Sequence, residues 1–202
     1  MCDETPQEDS CPGQLPEKTH EVLYWRLSQH RKLLVVLNGV GIVLMGLAVG
    51  TFTTWARLWH PLASGSITTS QMFLALVMLP LTLVLHELLH GLALQYYGAK
   101  PTYGILWKEM MFYATAAGHA FRRNTYLVIA LAPLVGLSVL AMALLILPLP
   151  AWLALPVVLC AAFNVGSAVG DLWLVRVALR YPHSAYIVDE KDGLRVFLAI
   201  EG

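Results

Sequence analysis

Apolar and polar positions are segregated along this chain into long blocks. No charged residue occurs from Leu33 to Ala56, from Leu58 to His86, or from Asn124 to Gly170. A helix of about 20 such residues crosses the hydrocarbon of a bilayer. The blocks predict four spanning helices, at about residues 33–54, 71–96, 126–147 and 152–179. Pro148 and Pro150 make a tight turn between the last two. The stretch from Gly98 to Arg123 breaks the pattern, with Lys100, Pro101, Gly104, Lys108, Glu109, Arg122 and Arg123. Residues 102–106 and 110–114 within it read as extended, and predict a membrane-associated hairpin or loop. After Tyr181-Pro182, residues 186–189 and 194–199, joined through Asp192-Gly193, read as a small β-hairpin.

Composition agrees with that division. Of 202 residues, 57% are hydrophobic and 13% charged, whereas a soluble domain has about 25% charged. The expected fold is an all-α integral membrane protein of about four transmembrane helices. Residues 33–180 form its domain, 1–32 a polar N-terminal tail and 181–202 a C-terminal tail. The tail lacks a basic segment followed by an apolar core, so no secretory signal peptide is expected. Residues 17–32 are expected as a short helix on the membrane surface, with Val22, Leu23, Trp25 and Leu27 in the interface. A formal net charge of zero gives no sign of a nucleic-acid partner. Cys2, Cys11 and Cys160 lack metal-ligand spacing, and Cys160 reads as a small core residue. Gly46 and Gly50 form a Gly-x-x-x-Gly pair that permits close helix contact, and Gly166 and Gly170 form a second.

One block carries chemistry. The second helix contains His86-Glu87-Leu88-Leu89-His90. On a helix the two histidines stand one turn apart on one face, so each can give a nitrogen to the same Zn2+. Glu87 then stands beside the metal as a candidate base for a zinc-bound water. Ionisable side chains in an apolar helix mark function more often than packing. The fourth helix holds a second anomaly. Asn164, Ser167, Ala168 and Asp171 share one face. Asp171 is the candidate third metal ligand and Asn164 a candidate hydrogen-bond donor to a developing oxyanion. His119, in the irregular stretch, is a weaker candidate for metal or substrate contact.

Charge bias brings the two anomalies together. Arg26, Arg31 and Lys32 precede the first helix. Lys100, Lys108, Arg122 and Arg123 lie between the second and third. Arg180, Lys191 and Arg195 follow the fourth, while the opposite connections carry Arg57. The excess of Lys and Arg places both termini in the cytoplasm. The second and fourth helices then run in parallel. His86 and Asp171 lie at a common depth, roughly 14–15 Å from the inner end at 1.5 Å per residue.

These residues resemble the site-2 proteases, a family of intramembrane zinc peptidases. The likeness lies in the His86-Glu87-x-x-His90 helix, one intervening helix, and an Asp-bearing helix with Asn164 upstream. The chain is similar also to a family of small bacterial membrane proteins grouped as zincin peptidases. There His-Glu-x-x-His-Gly is followed by an Asn and a Gly-Asp pair, here Gly170-Asp171. The site-2 proteases have Leu-Asp-Gly where this chain has Gly170-Asp171-Leu172, which separates Asp171 from their pattern. The resemblance implies a bacterial, multi-pass intramembrane metalloprotease acting on a membrane protein or peptide. Two rival expectations are a scaffold or adaptor whose metal site is structural or vestigial, and a metal or proton transporter.

Overall fold

A computed structural model describes residues 13–16, 18–59, 68–107 and 111–200. The element order is β1 (Thr19–Arg26), α1 (Arg31–Trp59), α2 (Thr69–Tyr96), β2 (Thr102–Leu106), β3 (Met111–Thr115), β4 (Ala120–Arg122), α3 (Arg123–Leu144), α4 (Ala151–Ser167), α5 (Val169–Ala178), β5 (Tyr186–Glu190) and β6 (Gly193–Ala199). A 3-10 turn, Leu27–Gln29, joins β1 to α1. Cys2, Cys11, Lys108, Glu109 and most of the connection from Arg57 to Ser70 lie outside the described residues.

Four helices are long and apolar enough to cross a membrane: Arg31–Trp59, Thr69–Tyr96, Arg123–Leu144 and the α4–α5 stretch Trp152–Ala178. Many of their largest apolar side chains face outward, among them Val35, Ile42, Leu47, Phe73 and Leu76. That surface suits an apolar solvent and is costly in water. The chain divides into two compact units, one of Arg31–Leu89 with Leu131–Leu172, the other of Met1–His30, His90–Ala130 and Trp173–Gly202. Helix α2 runs continuously through the division between Leu89 and His90.

In the first unit α1 packs on α4. Ala48, Phe52, Ala56, Leu145, Val158 and Ala161 belong to the buried cluster there. Two glycines meet at close range there. A Cβ on Gly41 would meet the Gly166 carbonyl oxygen at 2.7 Å, and one on Gly166 would meet the Gly41 carbonyl oxygen at 3.0 Å. Half of the expected Gly166–Gly170 pair is therefore used, whereas Gly46 and Gly50 meet nothing within 4 Å. The partners are backbone atoms that cannot swing aside. Gly41→Val is expected to destabilise the detergent-solubilised protein by about 1–3 kcal/mol. Gly46→Val should stay within about 0.5 kcal/mol of wild type. Thermal melts of the two variants side by side check this.

The expected fourth apolar stretch is present over Trp152–Ala178, with a break at Ala168 between α4 and α5. Ser167 Oγ donates to the Asn164 carbonyl oxygen at 3.0 Å, and Ala168 N–H donates to the same oxygen at 3.1 Å. A serine that hydrogen-bonds the preceding turn competes with the helical ladder and bends it. The chain restarts as α5 with Asp171 in its first turn, where the helix dipole favours a negative charge.

In the second unit a four-stranded antiparallel sheet has the order β1-β6-β5-β4. Its core includes Leu94, Phe121, Tyr126, Ile187, Leu194 and Val196. The expected C-terminal hairpin is present as β5–β6, with Tyr186 opposite Phe197 and Glu190 opposite Gly193. The surface helix expected over 17–32 is instead strand β1, paired with β6 from Thr19↔Ala199 to Arg26↔Gly193. Thr19, Val22, Tyr24 and Trp25 are strand formers. Leu23 and Trp25 are half-buried between exposed Val22 and Tyr24, a period of two. Strands β2 and β3 pair as a separate antiparallel hairpin, close to the extended segments read from sequence.

The β5–β6 turn is tied to the end of β1 through Asp192. Its carboxylate accepts from Arg26 Nε at 3.0 Å and from Ser28 Oγ, and its carbonyl accepts from Leu27 N–H at 2.7 Å. Burial opposes the charge, but the Ser28 and Arg26 hydrogen bonds and the guanidinium charge outweigh it and hold the carboxyl below its ordinary range. The unfolded chain therefore binds more protons in acid. The stabilisation is complete above about pH 4, the ordinary aspartate value, and is lost as pH falls through the lower folded value. Asp192→Ala is expected to cost about 1–3 kcal/mol at neutral pH. Acid unfolding followed by tryptophan fluorescence should show the variant converging with wild type at low pH.

Candidate metal centre

The histidines of α2 are held by different neighbours. His86 is buried, and its Nδ1 lies 2.9 Å from Asn164 Oδ1. Asn164 is itself fully buried. Its Nδ2 faces the carbonyl oxygens of Pro133 at 3.3 Å and Leu134 at 3.5 Å. Both amide hydrogens have acceptors, so the oxygen must be the atom that meets His86. An amide oxygen can only accept, hence His86 carries its proton on Nδ1. That leaves Nε2 with a lone pair, 3.1 Å from Asp171 Oδ2. Two acceptor atoms at this distance are stable when a proton or a metal ion shares them.

His90 is oriented by a proline. Pro133 lies inside α3 and has no N–H. The carbonyl four residues earlier, that of Ile129, loses its helical donor. His90 Nδ1–H donates to that oxygen at 3.1 Å. Both histidines therefore carry the Nδ1 proton and keep Nε2 for another partner, the tautomer that metal-binding histidines adopt when an outer acceptor fixes the ring. One ligand atom from each of His86, His90 and Asp171 lies within 4.8 Å of the other two. Two imidazoles and a carboxylate match the donor set of hydrolytic zinc sites, which keep a fourth position open. Asp171 is 19% exposed and His86 5%, so the cluster is shielded at His86 and more open at Asp171.

A family model matches residues 79–186, just over half of the chain. The family's description is "Putative zincin peptidase".

The chain belongs to this zincin family.

The matched span contains His86, Glu87, His90, Asn164 and Asp171, and nothing in the match singles out the site-2 proteases. No curated protein and no solved structure matches the chain.

Within this zincin-family chain, the sequence candidates separate into groups. His86, His90 and Asp171 come together. Glu87 is half-buried on α2 between the two histidines. Asn164 is not placed as an oxyanion donor, because both of its amide hydrogens already face carbonyls. His119 lies elsewhere, in the turn before β4, with its ring 4.5 Å from that of Phe121. Burial lowers its pKa, and it is not among the described residues of the metal cluster. Pro133, whose missing N–H leaves the Ile129 carbonyl to His90, was not among the sequence candidates. The available signal was the missing N–H, which frees the carbonyl of Ile129 for a side chain.

Proposed function

We infer that this chain is a zinc-dependent intramembrane metallopeptidase. It hydrolyses peptide bonds of a membrane protein or peptide in or near a bacterial cell membrane, in the manner of the site-2 proteases, with both termini in the cytoplasm. The observation that carries this reading is the His86–His90–Asp171 cluster, with each histidine's second nitrogen committed to an acceptor. The four apolar helices support a membrane setting, and family membership supports the peptidase class.

The residues divide the work as follows. His86, His90 and Asp171 would hold the metal. Zinc bound there would supply a Lewis acid and lower the pKa of a water to about 7. Glu87 accepts the proton of the attacking water and delivers it to the nitrogen of the leaving amine. Asn164 and the Ile129 carbonyl orient the two imidazoles and keep them in the ligating tautomer. The β2–β3 hairpin has no third strand among the described residues. Its edge gives an unwound substrate strand a set of backbone hydrogen bonds. The test is cleavage of fluorescein-casein by the zinc-loaded full chain in detergent. Turnover that chelation abolishes and zinc restores is the expected result. Turnover indifferent to zinc would refute the reading.

A further inference from the structure

Peptide hydrolysis places negative charge on the scissile carbonyl oxygen, and a hydrogen-bond donor aimed at that oxygen is worth a large factor in rate. Asn164 has no amide hydrogen left for this task. A second candidate lies on the β2–β3 hairpin. The Tyr103 hydroxyl occupies the space where a Cβ on Gly91 would stand, with the rest of its ring edge against the same point. Gly91 is buried and directly follows His90. It also lies four residues after Glu87, and positions four apart share a helix face, about 5–6 Å apart. The phenol hydroxyl is therefore set against Gly91, on the face of α2 that Gly91 shares with Glu87. It makes no hydrogen bond among the described residues. Tyr103 is 49% exposed, so the side chain is open to an arriving ligand.

The geometry points to Tyr103 as a further catalytic residue, whose hydroxyl donates a hydrogen bond to the substrate carbonyl oxygen as charge develops on it. The phenol keeps its proton throughout and no covalent bond to it forms. Gly91 is the residue that admits it, because any side chain there would displace the ring. This assignment rests on the peptidase reading above.

The experiment uses zinc-loaded full chain and fluorescein-casein. Tyr103→Phe removes the hydroxyl and keeps the ring. Its kcat is expected to fall about 10²–10³-fold, with KM within about twofold and zinc content unchanged. Gly91→Ala should cause a similar fall by displacing the phenol, and the double variant should be no slower than the slower single variant. A ring that merely packs would leave kcat of Tyr103→Phe within about threefold of wild type, and that result overturns the assignment. A second readout needs no turnover. A phosphinic dipeptide, which presents tetrahedral oxygens, should bind Tyr103→Phe at least about tenfold more weakly than wild type, and equal affinity overturns the assignment. If wild type cleaves no casein, the peptidase reading fails on its own and the phosphinate comparison still decides the role of Tyr103.

Discussion

Glu87→Gln is expected to abolish turnover while the protein keeps its zinc. Glutamine has nearly the shape of glutamate and cannot take a proton at neutral pH. General base catalysis by a positioned side chain contributes about 10²–10⁴-fold, so kcat should fall by at least about 100-fold. The metal should remain, because the cluster is formed by His86, His90 and Asp171 without Glu87. Turnover of fluorescein-casein and zinc content, measured on one preparation, check both halves. Unchanged turnover would remove Glu87 from the mechanism. Lost turnover with lost zinc would make Glu87 a contributor to metal binding.

The second large effect concerns Asp171. It faces His86 Nε2 at 3.1 Å and supplies the negative charge of the donor set. Asp171→Ala is expected to weaken zinc binding by more than about 100-fold. Asn164 acts one step further out, through His86 Nδ1 at 2.9 Å. Loss of such an outer partner typically costs about 10–100-fold in metal affinity, so Asn164→Ala should fall between wild type and Asp171→Ala. Competition with a chelating dye gives the three affinities. The reverse order, with Asn164→Ala weaker than Asp171→Ala, would take Asp171 out of the ligand set.

What the sequence disclosed depended on the range of the interaction. The four long apolar helices were legible because exclusion of charge is written continuously along the chain, as from Asn124 to Gly170. The histidine pair was legible because its spacing lies within one helical turn. Asp171 could be matched to it by depth, since helix rise is constant. Strand β1 was hidden because its partner β6 lies at the other end of the chain, and its short alternation with two arginines nearby also suits an interfacial helix. The Gly41–Gly166 approach was hidden for a similar reason. Gly46 and Gly50 have the more regular spacing, but α1 meets α4 through Gly41. Asn164 was singled out in the sequence as an oxyanion donor on a polar face. Its partners, His86 and the Pro133 and Leu134 carbonyls, depend on a side-chain orientation that no spacing encodes.

Two imidazoles and one carboxylate are proposed to hold a single zinc ion in this chain. Zinc K-edge X-ray absorption on the purified protein, with zinc content determined on the same sample, tests it most directly. About one zinc per chain is expected, surrounded by nitrogen and oxygen at about 2.0–2.2 Å, with the imidazole scattering of two histidines. A sulfur shell at about 2.3 Å, or well-folded protein that takes up no zinc, would contradict it.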